Sequence, residues 1–589
     1  MKEQQGLGQI LALSVVTAAA AEPMGTDCSA RAAVLSGLAG ALTLTVLAAL
    51  IAFLARRDPG RAGRMVDAAL LAGFAWELVQ TAGQAQAVCT QEFSSMALVG
   101  LLPLLLWVSS RMAPAGWAAP ARVLWWGAAL GCGVYVLGLA GQLHWYPLTD
   151  AASLQGWGSW TLPVYAEYFA AGRLCPAEKS PHAALLPLAA FAVQAAVLLG
   201  RTMLFGAKDY PIQELLRAWG VGMFSRLDAA LLLLWLACAI FRMGFLCTAV
   251  CQIGRRLLPD AEKGGQAGMR PQFQIKRWGI VLLAAWCLLF LHGENTQKSM
   301  VRAVLLEQQG TQWQVGLLYQ APEAAADAAD ASAALRFALG QGETLGRAVS
   351  AAETLLPETA NYRLCDYLLT PEDVQDSALS AYETLVLERQ CGRTAARWMA
   401  MQFALDKFAE ACREQEELPE KLLDKLKACS DWMPRLYAHD GPVLLPVLEE
   451  PASLAERCLL RVSGERIFLP QEDAELYCLL QGMGTAQSFW LGGKQVKIRR
   501  STVSVTLGAA AVSLRLDCQR AYGTPAPGTA QRQELERRCA ALVTELWTRG
   551  IDVLHLQQRY ALQGETSREM TLTKNACPQV QADVRFLPF

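Results

Sequence analysis

Residues 210–242, YPIQELLRAWGVGMFSRLDAALLLLWLACAIFR, decide how the rest of the chain is read. An Arg-Leu-Asp step, Arg226-Leu227-Asp228, stands at the mouth of an apolar run that reaches about Val250. Desolvating such a charged pair costs several kcal/mol unless it is paired, so it must be paired, wet or useful. An interfacial anchor would account for it as well as a functional site. Before this stretch the chain reads as membrane, and after Glu294 almost all of it reads as a water-soluble region.

The 589 residues exceed what one core organises, so at least two domains are expected. The hydrophobic content of 53% averages two unlike halves. Residues 1–295 hold 21 Lys and Arg against 16 Asp and Glu, whereas residues 296–589 hold 31 against 37. Neither net charge is large enough to call for a nucleic-acid partner. Seventeen cysteines fall into neither zinc spacing nor a disulfide framework, and five scattered histidines add no metal signature. No metal or cofactor is expected.

Apolar segments at Leu7–Ala21, Ala32–Ala55, Val66–Val88, Met96–Trp107, Val123–Leu143, Leu185–Phe205, Leu227–Val250 and Trp278–His292 are candidate crossings. Lengths near 20 residues suit a hydrocarbon core of about 30 Å. Arg56, Arg57, Arg61 and Arg64 then mark a cytoplasmic loop, and so do the six cations between Arg255 and Arg277. Both loops are cytoplasmic only if Leu154–Leu174 also crosses. That segment carries Gly156, Gly158, Pro163 and Glu167, as a broken transporter helix would, or as an external loop with an interfacial helix would. Taking it as a crossing gives nine, with the N-terminus cytoplasmic and the soluble half extracytoplasmic.

Ionisable residues at membrane depth mark polar pathways or buried pairs by default. Glu77 has Gln80 and Gln84 at helical spacing, and Glu167 lies beside Trp160, Thr161 and Tyr165. Arg242 falls mid-helix and Arg201 near a helix end. Either Glu77 or Glu167 could pair with Arg242.

The stretch 210–242 resembles the region around the eighth helix of the B subunit of GerA-type spore germinant receptors. In that family an Arg-aromatic/aliphatic-Glu step enters an apolar run containing Trp. Here Asp228 stands where Glu is usual, and Trp235 matches. WYPLTDAASLQGWGSWTLPVYAEYFAAGRL (145–174) looks like the family's sixth helix, with Glu167 at a position that is often acidic. The resemblance covers roughly residues 5–255. It implies a multi-pass α-helical membrane domain similar to APC-superfamily permeases, with an amino acid or similar germinant between the first and sixth helices. The chain departs from the pattern in two places. Thr17-Ala18-Ala19-Ala20-Ala21 replaces the Gly-rich break of the first helix, and one short run replaces the ninth and tenth, so the permease would be incomplete.

In the soluble half, Met300–Ala321 reads as two strands around Gln308-Gln309-Gly310-Thr311. Glu343–Leu356, Pro371–Leu387, Thr394–Cys412 and Pro419–Cys429 read as helices, with Tyr362–Leu369 strand-like between the first two. From Arg457 the pattern becomes antiparallel strands around a helix at Pro470–Gly482, continuing through KQVKIRRSTVSVTLGAAAVSLRLDCQ (494–519). Gln531–Arg549 is a helix closed by Gly550, and a strand-like stretch begins at Ile551-Asp552. There is no nucleophile elbow, phosphate loop or zinc signature, so no enzyme is expected. The order of elements resembles the C subunit of the same receptors, an extracytoplasmic α+β protein of three small domains. Trp286 before Cys287 is too large for a lipobox, so Trp278–His292 is expected to persist as a tether rather than yield an acylated Cys287.

The sequence therefore predicts four parts. These are a permease-like membrane domain over 1–256, a basic cytoplasmic loop over 257–277, a transmembrane tether over 278–293 and an extracytoplasmic α+β region with antiparallel sheets over 294–589. The implied role is sensing of a small nutrient in the membrane of a spore or cell. Trp160, Thr161, Tyr165, Glu167 and Glu77 would form the ligand site, while Arg226, Asp228 and Arg242 would couple and brace it. A germinant receptor A subunit and membrane lipid are the implied partners, no nucleic acid is, and a higher oligomer is compatible. An APC-type amino-acid transporter and a membrane-anchored scaffold without ligand are the alternatives.

Overall fold

The structure, a computed structural model, describes residues 30–57, 61–93, 101–109, 118–139, 186–206, 212–218, 227–257, 298–320, 335–462, 465–482, 487–508, 511–524, 526–562 and 579–587, with positions 143, 208 and 210. Two units emerge, Met1–Asn295 and Thr296–Phe589.

The first unit is helical: α1 (Ala30–Arg57), α2 (Arg61–Phe93), α3 (Leu101–Ser109), α4 (Ala118–Leu139), α5 (Leu186–Phe205), α6 (Ile212–Arg217) and α7 (Leu227–Leu257). α7 packs against α2, α3, α4 and α6, and α1 packs against α5. Apolar residues around the whole circumference of α7, from Trp235 through Phe241 and Leu246 to Ile253, are buried, as expected of a helix without a polar face. Arg255 and Arg256 in its last turn suit the negative end of the helix dipole.

The expected multi-pass, APC-permease-like domain is not what forms. Among the described residues only Leu186–Phe205 and Ala230–Leu257 are long and apolar enough to cross a membrane. α3, where the Met96–Trp107 crossing was expected, has nine residues and rises only about 14 Å, half a hydrocarbon core. α2 spreads Asp67, Glu77, Gln80, Thr81, Gln84 and Gln86 along the expected Val66–Val88 crossing, which dilutes its hydropathy. Leu7–Ala21, Leu154–Leu174 and Trp278–His292 lie outside the described residues. Nine crossings thus have no support among the described residues.

The second unit opens with the hairpin β1 (Ser299–Gln309) and β2 (Gln312–Gln320), then β3 (Leu335–Gly342), α8 (Leu345–Glu353) and β4 (Ala360–Asn361). β5 (Tyr367–Pro371), α9 (Asp376–Arg389), β6 (Arg397–Met401), α10 (Leu405–Glu414), α11 (Leu418–Cys429) and β7 (Val443–Glu450) follow, then β8 (Ser453–Val462) and β9 (Glu465–Pro470). The described strands order as β3-β2-β1-β5-β6-β7-β8-β9, with β4 beside β1. β1, β5, β6 and β7 run parallel, and the outer pairs antiparallel. The sheet is therefore mixed, which corrects the antiparallel expectation. The cause is the helices between β5, β6 and β7, since parallel neighbours need a crossover where a hairpin cannot serve.

Both faces of this sheet are covered. Val304 and Leu306 of β1 join Ala348 of α8 and Leu379 of α9, whereas Ala303 and Leu305 join Leu405 of α10 and Leu422 of α11. Burial on both sides explains β6. The run Trp398-Met399-Ala400-Met401 is buried throughout and has no alternation, so it reads as helix in sequence and forms a central strand. Tyr362–Leu364 is likewise a 3-10 turn, and only Tyr367–Pro371 is strand. Thr344 caps α8 by accepting a 3.3 Å hydrogen bond from Arg347 N. Thr344→Ala is expected to cost about 1 kcal/mol, read as a small fall in the urea midpoint.

A second sheet follows α12 (Gln471–Leu480), in the order β10 (Gln487–Leu491), β11 (Lys494–Leu507), β12 (Ala511–Arg520) and β13 (Gln579–Leu587). β10–β11–β12 is antiparallel, and β13 joins β12 in parallel after α13 (Thr529–Thr548) and α14 (Leu556–Leu562). Leu535, Leu542 and Trp547 of α13 share a core with Leu514, Leu516 and Val584 of the sheet. Gly550, at φ +84°, ends α13. Its N–H donates to Trp547 O at 2.8 Å and Ile551 N–H donates to Leu546 O at 2.9 Å, which is the Schellman pair of bonds. The expected strand at Ile551 is instead a turn into α14.

Candidate functional site

The buried stripe of α2 repeats at helical spacing through Leu70, Phe74, Glu77, Thr81, Ala85 and Val88. On α7 the corresponding stripe is Trp235, Ala239, Arg242 and Leu246. Where the two helices pack, Arg242 Nη2 donates to Glu77 Oε2 at 2.9 Å. The side chains are 5% and 10% exposed, so the pair is a dry, charge-assisted bond inside an apolar cluster. Of the two carboxylates open to Arg242 from sequence, the described structure pairs it with Glu77.

Further polar groups lie along the same two helices. Thr81, one turn beyond Glu77, and Trp235, two turns before Arg242, are buried, and Thr81 Oγ1 and Trp235 Nε1 have no hydrogen-bond partner among the described residues. Buried donors are ordinarily satisfied, so each such atom calls for an explanation. Ser109 Oγ of α3 donates to Gly244 O at 3.0 Å and ties α3 to α7 half a turn beyond Arg242, and Thr248 Oγ1 of α7 itself donates to the same carbonyl at 3.1 Å. Chemically the α2–α7 seam offers a carboxylate and a guanidinium in direct contact, with a hydroxyl one turn along α2 and an indole N–H two turns back on α7.

No protein-family profile matches the chain, and no curated protein matches it. One solved structure is similar. It is the crystal structure of the GerBC protein, 9% identical, with a TM-score of 0.28, the likeness covering 49% of this chain and 96% of that one. Superposition at that level is too loose to carry a fold assignment.

Trp160, Thr161, Tyr165, Glu167 and Arg226 lie outside the described residues. Asp228 belongs to the first turn of α7, and its side chain also lies outside them. Of the sequence-derived candidates the structure therefore brings together Glu77 and Arg242. Thr81 is the residue that sequence reasoning passed over. Its signal was its place one turn after Glu77 on the same face, where Gln80 and Gln84 drew attention instead.

Among the described residues no three His, Cys, Asp or Glu side chains come together as a metal set. The described cysteines of the second unit are free thiols, and burial pushes those of Cys391, Cys412 and Cys518 up to about 12. Such thiols stay protonated at neutral pH and act as small apolar side chains.

Proposed function

We propose that this chain is a component of a spore germinant receptor, in which the helical unit binds a small nutrient of amino-acid type at the Glu77–Arg242 seam and the α/β unit passes the signal on. The buried pair between α2 and α7 carries the reading, together with the resemblance of residues 210–242 to the germinant receptor B subunit. An amino acid brings a carboxylate and an ammonium. A guanidinium and a carboxylate at 2.9 Å offer the complementary groups, and Thr81 Oγ1 and Trp235 Nε1 along the same two helices add hydrogen-bonding capacity.

Ligand that exchanges the internal ion pair for two ligand pairs binds the opened arrangement of α2 and α7 selectively. It shifts the population by that differential affinity and by no more. Lipid contact fits the outer faces of the unit, where Val46, Met65, Trp76, Val79, Val123, Trp126 and Leu130 are all at least 65% exposed. On this reading the chain resides at the spore or cell membrane, works with an A subunit and has no enzymatic step.

Thermal unfolding of the purified full chain with each of the twenty amino acids tests the proposal. At least one is expected to raise the midpoint in wild type and to lose its effect in Glu77→Gln and in Trp235→Phe. A shift that survives both substitutions sinks the site. No shift with any of the twenty sinks nutrient binding and favours a scaffold role.

A further inference from the structure

In the second sheet of the α/β unit, Val496, Ile498, Leu514 and Leu516 turn inward to the core they share with α13, and Gln495, Lys497, Ser513 and Arg515 between them are exposed. β11 breaks this alternation at one place. Ile498 pairs with Arg520 and Arg500 with Gln519, so Arg499 is one residue too many, a β-bulge. Strict alternation would put Arg500 on the inward face with Ile498. The bulge instead leaves Arg499 and Arg500 both exposed, between the buried Ile498 and Ser501. Lys497, opposite Ser488, and Trp490, opposite Gln495 and 59% exposed, belong to the same outward face. Tyr522, 85% exposed, follows Ala521, whose N–H donates to Lys497 O at 3.0 Å. The β10–β11 turn is held in place from α13, where Gln531 Nε2 donates to Leu491 O at 3.2 Å and Glu534 Oε2 accepts from Gly492 N at 2.9 Å.

Charge is sorted along this outward face. Toward one end Arg515 lies 3.2 Å from Asp517 and Arg585 lies 3.1 Å from Asp583, and the β12–β13 register sets Arg515 beside Asp583 and Asp517 beside Arg585. Toward the other end the rows are Trp490–Gln495, Ser488–Lys497 and Arg500–Gln519–Leu587, and none of them holds an acid. Among the described residues neither Lys497 nor Arg500 makes an ion pair. At about 3.3 Å per residue the two stand about 10 Å apart, close enough for their fields to add. A face turned to water is ordinary for antiparallel strands and accounts for Thr502, Ser504 and Ser513. It does not account for cations and exposed aromatics collected where no acid balances them.

We propose that the outward face of β10 and β11, through Trp490, Lys497, Arg499, Arg500 and Tyr522, docks on an anionic lipid surface. Lysine and arginine meet the headgroup charge, and each such residue near an anionic bilayer strengthens binding about fivefold. Trp and Tyr, with an apolar ring and a polar tip, are the aromatic residues that favour the headgroup level. That pairing of cations with Trp and Tyr selects a lipid surface over an acidic protein, for which charge alone would serve. A sheet face held by a tight turn and by α13 also presents its side chains to a plane without reordering. The patch owes nothing to the Glu77–Arg242 seam.

Lysine acetylation of the full chain, combined with nanodiscs of phosphatidylglycerol or of phosphatidylcholine and read by mass spectrometry, tests the docking. Lys497 is expected to label severalfold more slowly with phosphatidylglycerol than with phosphatidylcholine, and high salt is expected to remove the difference. Lys427 on α11, which pairs with Asp424, serves as the reference and should label alike with both lipids. Arg500→Glu reverses one charge and is expected to abolish the protection of Lys497, with an unfolding midpoint like that of wild type because the side chain is exposed and makes no ion pair. Arg500→Gln, the milder variant, is expected to weaken docking about fivefold. Equal labelling of Lys497 with the two lipids overturns the proposal, and so does protection that persists in Arg500→Glu or in high salt. Protection by polyglutamate but by neither lipid also overturns it and assigns the face to an acidic polypeptide.

Discussion

Glu77→Ala is expected to destabilise the helical unit by about 3–5 kcal/mol, among the largest effects of any single substitution in the chain. The loss is not the worth of the ion pair. It is the cost of taking from Arg242, whose side chain is 5% exposed, its carboxylate counter-charge inside the cluster of Phe74, Leu236, Phe241 and Leu246. Attraction within a buried pair roughly repays the desolvation of both partners, so removing both should cost little. Glu77→Leu combined with Arg242→Met, which keeps volume and removes both charges, is expected to restore stability to within about 1 kcal/mol of wild type. Denaturant unfolding of the two single variants and the double variant in one detergent reads this coupling directly. Additive losses in the double variant would show that the pair is solvated after all.

The same pair marks the limit of what the sequence discloses. Glu77 and Arg242 are 165 residues apart, and their isolation within apolar runs flagged both. Which carboxylate meets Arg242 depends on how α2 docks on α7, and hydrophobic periodicity within a helix says nothing of that. Membrane topology failed for a related reason. Apolar runs in α1, α2 and α3 satisfy an eye trained on crossings, but a helix buried among other helices is equally apolar, and α7 is one. In the α/β unit, local signals read well: the β1–β2 hairpin about Gly310, α12, and α13 with its Gly550 cap all form where expected. Each of these is set by residues within one turn or one hairpin. β6 did not read, because its identity as a strand comes from β5 and β7 on either side rather than from Trp398-Met399-Ala400-Met401 itself.

Gly340→Ala is expected to cost about 3 kcal/mol or more, through overpacking that has nowhere to relax. A Cβ on Gly340 would fall 2.2 Å from Ala352 N and 2.3 Å from Ala348 O. Both are backbone atoms of α8, so no side chain can rotate away, and relief requires α8 to lift from β3 or β3 to leave its register with β2. Lifting would expose Ala348, Val349 and Ala352, all buried between helix and sheet. Gly342→Ala meets Ala348 N at 2.7 Å and Arg347 Cβ at 2.9 Å, a milder clash near the end of the strand, and should cost less. Gly346→Ala supplies the contrast. It lies within α8, its nearest neighbour is Arg389 Nη1 at 3.7 Å, and the new methyl has room. There the substitution should stabilise by about 0.5–1 kcal/mol, because a helical glycine gives up more backbone freedom than alanine. Urea midpoints of the three full-length variants are therefore expected on both sides of wild type. If Gly340→Ala falls within about 1 kcal/mol of wild type, the seat of α8 on β3 is looser than these distances require.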